Sequence, residues 1–172
     1  MSSKKYDVFI RNKIIPAIFV GITMSITIFI LHYLYNIVIP VARFIIFGAF
    51  SSSAFLLFMN PKNKSSRLMV FIKSYIIAGI IGLIGSLLLE RFLHINIYYS
   101  IAIVEFVLAI ALVTLKSEHP PSMGIGLVYL IERLNIYAII FVISGALIIA
   151  FLDKILEKFI YIEEKIDTEI KN

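Results

Sequence analysis

An all-α bundle of membrane-crossing helices is the fold this sequence predicts, and three observations predict it. Hydrophobic residues make up 60% of the 172 and charged residues only 16%, with a mean hydropathy of +0.99, well beyond what the core of a soluble domain uses. The charges collect in the two tails and in short islands. Between the islands lie apolar runs long enough to cross a bilayer core, which takes about 20 helical residues. The expected organisation is a tail over 1–13, a transmembrane domain over 14–152 and an amphipathic C-terminal helix over 153–172, with the lipid bilayer as the first partner.

The same composition excludes other classes. A net charge of +5 does not point to nucleic acid, because the cations flank hydrophobic segments and read as topology signals. There is no cysteine, so disulfides and thiol chemistry are out. Glu90 and His94 stand one helical turn apart, but no third ligand accompanies them and the solvated end of a helix explains them better than a metal. With no zinc or serine-nucleophile motif in the chain, the expectation is a non-enzyme without cofactor.

The segments follow in order. Segment one runs from about Ile14 to Ile39, with Pro16 in its first turn, where proline is tolerated, and Pro40 closing it. The basic tail before it precedes a run too long for a signal-peptide core, so it reads as a retained first span. Thr23, Ser25 and Thr27 can bond back to their own helix, and His32 reads as interfacial. Segment two, Phe44 to Met59, carries Ser51, Ser52 and Ser53 in its middle; these either let helices approach closely or line a polar path. Segment three runs from Arg67 to Leu89 with a ridge of small residues, Ala78, Gly79, Gly82, Gly85 and Ser86, at the spacing of a tight helix contact. Lys73, a turn or two inside it, either snorkels to the interface or faces a polar cavity. Segment four, about Ile97 to Leu115, holds Glu105, the one acid well inside a span and so a functional candidate or an interhelical staple. Segment five, Ser122 to Ile131, is short, and segment six runs from about Leu134 to Leu152. Beyond it Ile155, Phe159, Ile162, Ile166 and Ile170 recur at amphipathic spacing, continuing segment six or lying on the membrane surface.

The stretch from Lys116 to Gly126 is where polar chemistry interrupts this pattern. Pro120 and Pro121 stop the incoming helix near Lys116 or Ser117, and proline suits the first turn of a new helix beginning at Ser122. A helix N-terminus beside Lys116 and His119 is the local make-up of an anion site. A rigid turn at the headgroups is the plainer reading of the same residues.

His119-Pro120-Pro121, a basic residue three places earlier, and the upstream run Ser53-Ala54-Phe55-Leu56-Leu57-Phe58-Met59-Asn60-Pro61 resemble the HPP family of integral membrane proteins, over about Phe44 to Phe151. The resemblance implies about four spans and a transporter, and because plant members are associated with nitrite import into chloroplasts it implies a small inorganic anion. Carried over, His119, Pro120 and Pro121 match the signature, Lys116 stands where members commonly have arginine, and Ser53, Ala54 and Pro61 match the upstream motif. There are departures: Phe50-Ser51-Ser52 stands where many members have Phe-Gly-Ala, unless Phe47-Gly48-Ala49 takes that role through an insertion, and Ser122-Met123-Gly124 replaces an alanine-rich triplet.

The two halves, Ile14 to Leu89 and Ile97 to Leu152, share one order: long helix, proline, short segment, polar loop, long helix. Three segments per half make the second half inverted. Six crossings put both termini in the cytoplasm of a plasma-membrane protein, with nearly all lysines inside; five crossings, with Ser122 to Ile131 not crossing, are the alternative. The expected function is passage of a small inorganic anion of the nitrite type between two pseudo-symmetric halves, at a site of Lys116, His119, Pro120, Pro121 and Ser122 with Ser51, Ser52, Ser53, Lys73 and Glu105. A non-transporting sensor or scaffold that recruits partners through its tail is the rival. A homo-oligomer is left open.

Overall fold

The computed structural model describes residues 10–34 and 42–170, with side chains over 10–34, 45–156 and at 158. Among the described residues six α-helices carry the fold: α1 (Ile15–Leu34), α2 (Ala42–Met59), α3 (Leu68–Gly85), α4 (Ile97–Thr114), α5 (Met123–Ile131) and α6 (Tyr137–Ile170). A wide π turn, Ile10–Ile14, leads into α1, and another, Ser86–Phe92, extends α3 past the end expected at Leu89. No strand occurs among the described residues. Four of the helical stretches are long and apolar enough to cross a membrane, Ile10–Leu34, Leu68–Phe92, Ile97–Thr114 and Tyr137–Leu156, and two shorter apolar helices complete the bundle. Both the resemblance's four spans and the six segments read from the sequence are therefore present. The proposed closure at Pro40 lies outside the described residues, and α6 simply runs on as helix through the tail to Ile170.

The helices alternate between two ends of the bundle. At end A the 3₁₀ turn Lys64–Ser66 meets His119, whose Nδ1 lies 2.7 Å from the Ser65 carbonyl oxygen. At end B the guanidinium of Arg91 donates to the Arg133 carbonyl at 2.6 Å. Since α3 runs from A to B, α4 returns to A, α5 climbs to B and α6 returns. Phe19 against Phe58 and Phe47 against Phe141, each with centroids 6.1 Å apart, put the start of α1 at A and align α2 with α6. The first and last spans thus have their outer termini at the same end.

α5 explains how polar residues come to lie inside. Three residues of 3₁₀ turn and nine of α-helix cover about 20 Å, against a hydrocarbon core of about 30 Å. The loops flanking it must dip into the bundle. Glycines let α5 sit this deep against α3: a Cβ placed on Gly82 would lie 3.0 Å from the Gly126 Cα and 3.0 Å from Tyr129 Cβ.

Candidate functional site

The dip after α4 begins with a Schellman turn. Lys116 N–H bonds the Val113 carbonyl at 3.1 Å and Ser117 N–H bonds Leu112 at 2.8 Å, which satisfies the last carbonyls of α4 and forces Lys116 to a φ of 52°. Glycine is the usual residue there, and a lysine carries a left-handed penalty of about 1–2 kcal/mol. Lys116→Gly should therefore stabilise the fold by about 1 kcal/mol, read as a higher midpoint of thermal unfolding in detergent. A lower midpoint would show that the lysine side chain itself holds the turn.

Past this turn His119 is fully buried. Its ring meets Phe71 edge-on with centroids 5.2 Å apart and lies 6.0 Å from the Tyr75 ring. A carbonyl can only accept, so Nδ1 carries a proton and donates it to Ser65 at 2.7 Å. Nε2 lies 2.7 Å from Ser53 Oγ, which lies 2.7 Å from the Tyr75 hydroxyl and 3.0 Å from the Ala49 carbonyl. With a neutral ring, Tyr75 donates to Ser53 and Ser53 donates to Nε2. With a charged ring, Nε2 donates to Ser53 and the serine proton turns to Ala49. Both states keep every polar atom bonded. Burial holds the imidazole below the ordinary histidine range, and the bond to Ser65 opposes this in part.

Beside this clasp, at end A, a cavity of about 680 Å³ is lined by Asn63, Lys64, Ser65, Arg67, Val70, Lys116, Glu118 and Pro120. Three cations face one carboxylate there. The sequence put His119 and Lys116 together at one anion site; here Lys116 lines the cavity and the histidine turns its ring inward, because the short α5 draws the turn into the apolar core. It touches the cavity only through Ser65. The start of the new helix is satisfied within its own turn: Ser122 N–H and Oγ both bond the His119 carbonyl, at 3.0 and 2.7 Å, so Ser122 is a turn clamp. Pro120 borders the cavity and Pro121 is half-buried beside it.

The other expected site residues divide. Ser53 is buried in the clasp, while Ser51 and Ser52 are exposed on the outer face of α2 and do not join it. Lys73 is exposed and lines no part of the cavity. Glu105 is half-buried and directed at α5, its Oε1 within 3.3 Å of where a Cβ on Gly126 would stand. Tyr75, Ser65, Lys64 and Arg67 complete the arrangement without having been singled out. Tyr75 looks like any core aromatic in an apolar run, and Ser65 acts through a backbone carbonyl that every residue has.

A bundle of membrane-length helices with a buried polar clasp and a cationic mouth at one end defines a polytopic integral membrane protein. The chain belongs to the HPP family: the family's transmembrane region matches residues 10–162. No curated protein and no solved structure matches it.

Proposed function

We propose that this protein carries a small inorganic anion of the nitrite type across the membrane, entering or leaving through the cavity at end A. The observation that carries this reading is the excess of Lys64, Arg67 and Lys116 over Glu118 around that cavity. Arg11, Lys13, Lys62 and Lys154 stand toward the same end, whereas end B has Arg43, Arg91 and Arg133, a bias that supports end A as the cytoplasmic side of a plasma membrane with both termini cytoplasmic.

The principal helix contacts support an inverted repeat of α1–α3 and α4–α6. The packing of α1 on α2 is matched by α4 on α5, that of α3 on α4 by α6 on α1, and that of α3 on α5 by α6 on α2; α3 on α6 and α2 on α5 map onto themselves. The halves are tied at both ends, by His119 to Ser53 and Ser65 at A and by Arg133 to Arg91 at B. Opening one tie while the other holds would expose a path between the halves to one side at a time.

Uptake of labelled nitrite and nitrate into proteoliposomes, with empty vesicles subtracted, tests this. The full chain should give saturable flux, and Lys64→Gln, Arg67→Gln and Lys116→Gln together should cut it at least tenfold while the variant remains monodisperse. Equal flux in the triple variant would remove the cavity from the path. No flux of any anion would favour the scaffold reading.

A further inference from the structure

Buried polar atoms without a hydrogen-bond partner are rare and concentrate where water or an ion is handled. Among the described residues they are Thr23 Oγ1, Ser86 Oγ, both Glu90 carboxylate oxygens, Glu105 Oε1 and the Tyr129 hydroxyl. All but the Thr23 atom lie where α3, α4 and α5 meet. On α3 itself Glu90, Ser86, Gly82, Gly79 and Tyr75 succeed one another at three- and four-residue steps, so they share one face running from end B toward end A. All five are buried.

The neighbouring helices fill the intervals on this face. Gly85, the residue before Ser86, packs against Val104, the residue before Glu105. Glu105 is aimed at Gly126, where α5 crosses Gly82. One turn further along α5, the Tyr129 hydroxyl lies 3.9 Å from where a Cβ on Gly79 would stand. One turn beyond Gly79 is Tyr75, and from there the chain of bonds through Ser53 and His119 reaches Ser65 on the cavity wall. The charged groups around this line are Arg133, 3.8 Å from Glu90, and Arg91 beside it; Lys73, the remaining cation of α3 before end B, is exposed.

We infer that this face of α3 is a proton path across the bundle, from Glu90 at end B through Ser86, Glu105, Tyr129, Tyr75 and Ser53 to His119 and the cavity, and that anion movement is coupled to it. The inference rests on the anion-transport reading and names its coupling ion. Water completes the intervals between the unpartnered atoms, and each hop breaks one O–H or N–H bond and makes another. At the clasp Ser53 gives its proton to His119 Nε2 and is refilled from Tyr75, while Nδ1 releases its proton toward the cavity when the bond to Ser65 opens. One proton leaves for each that enters, and the ring resets by turning over. No redox partner is needed.

The test uses proteoliposomes of the full chain with a pH dye inside and labelled nitrate outside. A proton gradient directed with the anion should speed nitrate uptake at least fivefold, and uptake should carry protons with it. Tyr129→Phe should abolish that stimulation while nitrate exchange at equal pH persists, which shows a folded variant, and Glu105→Gln should abolish the stimulation as well. Nitrate flux indifferent to the gradient in the wild type, or full stimulation in both variants, overturns the coupling and leaves anion transport standing. Where no anion moves at all, a potassium gradient with valinomycin should still drive protons in through the wild type and not through Glu105→Gln. Proton entry of that kind retains the path and removes the anion; no entry overturns both.

Discussion

Gly82→Leu should leave no folded bundle, and Gly82→Ala should cost about 1–3 kcal/mol, the range for overpacking a close contact. The added Cβ would stand 3.0 Å from the Gly126 Cα and 3.1 Å from its carbonyl oxygen, and backbone on both sides cannot swing away as a flexible side chain could. α5 makes contacts with α2, α3 and α4, so pushing it off α3 also disturbs the clasp at His119. Gly21→Ala and Gly48→Ala are the controls: a Cβ at either position meets nothing within 4 Å, and in a helix each should be neutral or stabilising by up to about 1 kcal/mol. Thermal unfolding in detergent, read by fluorescence and by retention as a monodisperse peak, ranks the four. An alanine at 82 that unfolds with the wild type would show that α3 and α5 do not cross this closely.

His119→Ala should destabilise the protein by about 3–5 kcal/mol, combining a cavity under Phe71 and Tyr75 with two abandoned partners, Ser53 and the Ser65 carbonyl. The full burial of the ring is what makes this a loss of fold. His119→Gln keeps a donor and an acceptor and should recover part of the loss. The pH dependence follows from the direction of the shift. Burial sets the folded imidazole below its ordinary value of 6.5, so as pH falls the unfolded chain takes up the proton first. The stability is fully present above about pH 6.5 and declines as pH drops toward the folded value. Unfolding midpoints between pH 5 and pH 8 should show this slope in the wild type and a flatter profile in His119→Gln. Identical profiles would mean that the ring is not held neutral by the core.

Much of this molecule was legible in the residues themselves. Apolar length fixes the membrane class, because backbone groups in lipid must be satisfied within helices, and the starts and stops follow from Pro16, Pro120, Pro121 and the charged islands. The shortness of the segment after Pro121 and the small-residue ridge on α3 were likewise local facts. The tertiary structure decided which way each polar side chain turns. A twelve-residue traverse cannot span the bilayer core, so it pulls His119 into the interior and leaves Lys116 at the mouth, a consequence of lengths summed over several helices. Of three consecutive serines only Ser53 reaches the clasp, because successive residues on a helix point about 100° apart and one face of α2 is buried. Tyr75 and the Ser65 carbonyl joined it from elements distant in sequence, and no local pattern distinguishes a core tyrosine with a partner from one without.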